Sequence, residues 1–122
     1  MIYLDYSANT PVDPRVLEVY CRTEQNFIGN PNSTHCAGQA ARQEMNRVTG
    51  LIAAQLGVLP DEIIYTSGAT EANNLALKGT ARAARHVGRH IISTPLEHSS
   101  VGATLTALQQ QGYEIDLLNL GR

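Results

Sequence analysis

Lysine is nearly absent from this chain. Lys78 is the only one, and the other eight basic residues are arginines. Chemistry that needs a lysine amine as a Schiff-base anchor must therefore use Lys78 or a lysine from elsewhere. Cysteine is scarce too. Cys21 and Cys36 are too few for a disulfide scaffold and lack metal-site spacing, so two reduced, half-buried thiols are expected. No basic run occurs, and nine basic residues against eleven acidic ones give a net charge of -2. That leaves no electrostatic footprint for nucleic acid. No apolar run approaches the roughly 20 residues of a bilayer crossing, so no membrane span is expected. The first residues, Met1-Ile2-Tyr3-Leu4-Asp5, lack the basic start and apolar stretch of a signal peptide, and a cytoplasmic protein is the expectation.

What is present is one alternation of elements. Residues 2–6 are β-prone and expected to be extended, with a break at Ser7-Ala8-Asn9-Thr10-Pro11. Asp13-Pro14 pairs an N-cap residue with proline at the first helical position. The helix it starts should run to about Phe27, with Val16, Leu17, Val19 and Tyr20 as its apolar stripe. Gly29-Asn30-Pro31-Asn32-Ser33-Thr34-His35 is a loop by composition. A long helix follows over 38–56, where Ala40, Ala41, Met45, Val48, Ile52, Ala53 and Leu56 recur at three- and four-residue spacings as one buried face. Gly57 is placed to end it.

The second half reads as strand 63–66, helix 71–85, strand 90–94, helix to Gln111 capped by Ser99 or Ser100, and strand 114–120. Connections of this length predict parallel strands, so the fold class is α/β, with helices preceding a parallel β-α-β-α-β unit. The expected division is 1–57 for the N-terminal segment and helices and 58–122 for the start of the α/β domain. A three-stranded parallel sheet that stops directly after its last strand has an uncovered edge, so the polypeptide reads as cut short.

Loops that follow parallel strands share one rim of the sheet, and ligands bind there. The first such loop is Ser67-Gly68-Ala69-Thr70, a turn with almost no side-chain bulk between a strand end and a helix start. Backbone amides in such a turn close on an anion, helped by the helix dipole, and a plain helix-capping loop is the alternative. It is neither G-x-G-x-x-G nor G-x-x-x-x-G-K-[ST]. The second rim loop carries His98, whose imidazole can stack on a ligand ring and carry protons, or can simply bond locally at a helix start. Glu97 either orients that ring or stands solvated at the helix N-terminus. His86 and His90 are four apart, but Gly88 between them ends the helix, so no metal site is expected.

Tyr3-Leu4-Asp5-Tyr6-Ser7-Ala8-Asn9-Thr10-Pro11-Val12, Gly29-Asn30-Pro31-Asn32-Ser33, Tyr65-Thr66-Ser67-Gly68-Ala69-Thr70-Glu71-Ala72-Asn73-Asn74 and Glu97-His98 stand in the order and spacing of cysteine desulfurases. Over its whole length the chain resembles the NifS/IscS branch of the class V aminotransferases, and about the first third of a typical member. The resemblance implies a pyridoxal-phosphate enzyme of fold type I. It also implies a homodimer that takes sulfur from L-cysteine, leaves alanine, and passes an enzyme persulfide to sulfur-acceptor proteins of iron-sulfur cluster assembly. By position, Ala69 and Thr70 match residues that hold the cofactor phosphate. His98 matches the histidine that stacks on the pyridine ring and assists proton transfer, and Asn30 lies in a segment lining the substrate side.

The family's Schiff-base lysine, pyridine-pairing aspartate, carboxylate-binding arginine and persulfide cysteine belong to later segments. Lys78, Cys21 and Cys36 do not match them. The chain by itself is therefore expected to be inactive and to bind the cofactor weakly. The alternatives are a non-catalytic dimerisation or partner-binding module, or part of a related selenocysteine lyase or class V aminotransferase.

Overall fold

The computed structural model describes residues 2–119 and 121. The chain divides into two compact units, Met1–Ile64 and Tyr65–Arg122. In the first, helix α1 is Pro14–Asn26, and Asp13 caps it by accepting the Arg15 N–H at 2.8 Å. Its apolar stripe does form, but Val16, Leu17, Val19 and Tyr20 are all exposed and the helix buries no residue. An amphipathic face gains its hydrophobic stabilisation only against a partner surface.

Helix α2 is Cys36–Leu56, two residues longer at its start than expected, because His35 caps it by accepting the Gly38 N–H at 3.2 Å. Its buried face is narrower than the periodicity predicts. Gly38, Ala41 and Ala53 are buried, Val48 and Ile52 are half-buried, and Met45 and Leu56 are exposed. Gly57 ends α2 in the left-handed region at φ 68°, as its position suggests. Both cysteines are exposed, not half-buried.

The loop before α2 is seated by close backbone approach. A Cβ at Gly38 would lie 2.6 Å from the carbonyl oxygens of Asn30 and Ser33, and one at Gly29 would lie 2.4 Å from the Ala37 carbonyl. Only glycine leaves that room.

The second unit holds helix α3 (Ala69–Ala83), strand β1 (His90–Ser93), helix α4 (Ser99–Gln109) and strand β2 (Glu114–Leu117). The strands pair in parallel, with His90 opposite Glu114 and Ser93 opposite Leu117. This confirms the α/β class and the parallel arrangement. The expected first strand does not form. Residues 63–66 start in extended backbone, at φ −89° and ψ 120° for Ile63, but join no sheet among the described residues. β propensity alone does not make a strand without a ladder partner. The far end of the expected last strand, Leu120, lies outside the described residues.

The core of this unit is Leu105 and Leu108 on α4, with Tyr113 just beyond it. The Tyr113 hydroxyl donates to the Ala81 carbonyl near the end of α3 at 2.7 Å. Gly112, at φ 86°, makes the turn that brings Tyr113 there.

Candidate functional site

The small-residue turn leads straight into α3. Gly68 is the N-cap, with no side chain capping the helix, so the first-turn amides of Ala69 and Thr70 are presented to the outside. A Cβ built on Gly68 meets nothing within 4 Å, which leaves the backbone open to a close ligand. Gly68, Ala69 and Thr70 are all exposed.

The fourth member of the turn is engaged differently. The Ser67 N–H and hydroxyl each donate to Glu71 Oε2 at 2.7 Å. The Ser67 backbone bond, followed by its hydroxyl, holds the Glu71 carboxyl below its ordinary value. The anion cradle thus narrows from residues 67–70 to Gly68, Ala69 and Thr70, because a carboxylate of the same helix already uses the Ser67 amide.

His98 caps α4. Its Nδ1 accepts the Ser100 backbone N–H at 3.2 Å and lies 2.9 Å from the Ser100 hydroxyl oxygen. The capping role expected of Ser99 or Ser100 falls to the imidazole. Glu97 does not touch it; its carboxylate accepts from the Thr94 hydroxyl at 3.1 Å. Ser100 is buried, and its hydroxyl also receives the Asn73 side-chain amide at 2.9 Å. Asn73 lies one turn inside α3, so this contact sets the first turns of α3 and α4 side by side.

With Tyr113 joining their far ends, the two helices run in the same direction, and both positive dipole ends face one region. Helix packing therefore brings the cradle and His98 together, where the expectation relied on neighbouring strands. Sequence reasoning named Ser100 only as a candidate helix cap and Asn73 only within the motif, and did not pair the two. A contact 27 residues apart leaves no trace in local spacing.

Asn30 belongs to the first unit, where its side chain accepts the Asn32 N–H at 2.8 Å and its carbonyl the Ser33 N–H at 2.9 Å. Lys78 sits within α3, half-buried. His86 lies in the turn after α3 and His90 on β1, where His90 Nε2 pairs with Asp116 at 2.8 Å. Among the described residues no three His, Cys, Asp or Glu side chains gather as a metal site. None of their helices is long and apolar enough to cross a membrane. A pocket of about 350 Å³ opens elsewhere in the second unit, lined by Thr94, Pro95, Glu97, Leu105, Ile115 and Leu117, and excludes the cradle residues. It lies between the sheet and α4.

The family model for class-V aminotransferases matches residues 2–122. This chain belongs to that family. The cysteine desulfurase IscS of Aeromonas salmonicida is 46% identical over 120 residues, covering 96% of this chain and 30% of the relative. That of Stutzerimonas stutzeri is 42% identical over 123 residues, with 98% and 30% covered. Among solved structures, a NifS-like protein superposes with a TM-score of 0.87 at 39% identity, over 98% of this chain and 33% of that one. SspA, solved in complex with cysteine, gives a TM-score of 0.82 at 35% identity, over 95% and 33%. The chain spans about a third of the length of the relatives it matches. The family uses pyridoxal phosphate, and the resemblance read from the motifs is upheld along with the α/β fold.

Proposed function

We propose that this chain forms the phosphate-holding and ring-facing part of the active site of a pyridoxal-phosphate-dependent cysteine desulfurase. The reading is carried by one observation: the uncapped first turn of α3 lies beside the first turn of α4, which His98 caps. The backbone amides of Ala69 and Thr70, with the Thr70 hydroxyl, hold the phosphate, and the α3 dipole favours its charge. His98, fixed at its Nδ1 edge, offers a ring face to the pyridine. When bound, the cofactor supplies an electron sink for cleavage at the substrate cysteine. The family pattern assigns Asn30 to the substrate side. The lysine that anchors the cofactor and the cysteine that receives sulfur come from sequence other than these 122 residues, since neither Lys78 nor the exposed cysteines match them. Sulfur then passes to an acceptor protein.

A chimera tests this directly. These residues replace the matching 120-residue stretch of the Aeromonas salmonicida enzyme. Sulfide release from L-cysteine is expected to persist in the chimera and to fall sharply on His98→Asn. The unfused chain with added cofactor is expected to release none. An inactive but folded chimera, or turnover by the unfused chain, contradicts the reading.

A second reading has one observation of its own, the exposed apolar stripe Val16, Val19 and Tyr20 on α1. Such a face suits association with another copy or a partner, and light scattering of the chain distinguishes an oligomer from a monomer.

A further inference from the structure

The bonds around His98 have a direction. A backbone N–H can only donate, and the Ser100 N–H points at His98 Nδ1. Nδ1 therefore carries a lone pair, and in the neutral ring the proton sits on Nε2. With Nδ1 an acceptor, the Ser100 hydroxyl, 2.9 Å away, donates to it. That leaves the hydroxyl oxygen's lone pairs for the Asn73 side-chain amide, also at 2.9 Å. The relay runs one way, from the Asn73 NH₂ to Ser100 Oγ–H to His98 Nδ1. Ser100 is only 8% exposed, so water does not readily replace a missing partner there.

We propose that Asn73 and Ser100 are positioning residues that hold His98 as the Nε2–H tautomer, so that its free edge presents a hydrogen-bond donor and not a base. A proton can be taken up at Nε2 only if Nε2 has a lone pair, which requires Nδ1–H. That proton would face the Ser100 N–H head-on and force the hydroxyl to turn round. The ligand group that meets Nε2 is therefore an acceptor, such as an oxygen of cofactor or substrate. This consequence rests on the reading of His98 as the ring-facing residue. The tautomer itself does not.

The test is nitrogen NMR of the full chain, ¹⁵N-labelled at histidine, without cofactor and at a pH where imidazoles are neutral. His98 is assigned by the signal lost in His98→Gln. The expected signature is the Nε2–H form. Asn73→Asp keeps the shape but replaces the donor by a carboxylate, which accepts the Ser100 hydroxyl proton and turns an oxygen lone pair toward Nδ1. It should move the tautomer ratio toward Nδ1–H by about three- to tenfold, the equivalent of one neutral hydrogen bond. Ser100→Ala should move it less, because it removes one donor to Nδ1 without turning an acceptor toward it. An Nδ1–H signature in the unaltered chain overturns the proposal even if the variants do not fold. So does an Asn73→Asp ratio equal to that of the unaltered chain. A fixed Nε2–H form in a chain that binds no pyridoxal phosphate keeps the relay and discards the cofactor reading.

Discussion

Asn73 donates its side-chain amide to the Ser100 hydroxyl across 2.9 Å, and this contact joins the start of α3 to the start of α4. It links the two parts of the candidate site through side chains, one hydrogen bond from the cradle helix to Ser100 and one more to the imidazole. The packing of Leu105, Leu108 and Tyr113 holds the same unit together. The site therefore depends on that core as well as on its own residues.

Gly68→Ala separates folding from binding. The added Cβ meets no protein atom within 4 Å, and the extended backbone there suits alanine. The helix signal and melting temperature should stay close to those of the unaltered chain. Pyridoxal phosphate affinity should fall by about tenfold or more, as a methyl group displaces the phosphate from the amides and leaves them imperfectly paired. Circular dichroism and equilibrium dialysis read the two effects.

Leu108→Ala tests the core. Leu108 is fully buried, and its loss should destabilise the second unit by about 2–5 kcal/mol, from lost burial and the cavity left behind. Urea unfolding followed by amide NMR signals of α4 and β2 measures it. A change below 1 kcal/mol would show that α4 is not packed as described.

Gly38→Ala tests the seating of the loop that carries Asn30. The new Cβ would stand 2.6 Å from two backbone carbonyl oxygens, which no rotamer relieves. Overpacking of this kind costs about 1–3 kcal/mol. Amide NMR signals of Asn30, Asn32 and Ser33 should move while those of α3 and α4 stay in place.

Glu71 makes the start of α3 sensitive to acid. Its carboxyl is held below the ordinary value of 4.5 by the Ser67 bonds, so the folded state favours the ionised form. Its contribution is complete above pH 4.5 and is lost as pH falls through the lowered folded value. Glu71→Gln should flatten the pH dependence of helix content in that acidic window and leave it unchanged near neutrality.

Much of this was legible in the sequence, for local reasons. Asp13-Pro14 and Gly57 mark helix ends through backbone geometry, and the spacing of Ala41 and Ala53 gives the buried side of α2. The turn at Gly68 and the motif around His98 were readable from residue types and family pattern. What escaped depended on contacts across the chain. Residues 63–66 have strand chemistry but join no sheet among the described residues, and the stripe on α1 stays exposed. Periodicity reports which face is apolar, not whether anything meets it. The Glu71 cap on Ser67 and the Asn73–Ser100–His98 relay are side-chain geometry, which composition does not encode.

The most direct test compares pyridoxal phosphate with pyridoxal, which lacks the phosphate, by amide and imidazole NMR of the full chain. Pyridoxal phosphate should shift Ala69, Thr70 and the His98 ring together, and pyridoxal at the same concentration should leave Ala69 and Thr70 unmoved. Equal shifts from both compounds, or shifts that avoid Ala69, Thr70 and His98, would contradict the assignment of this turn as the cofactor's phosphate site.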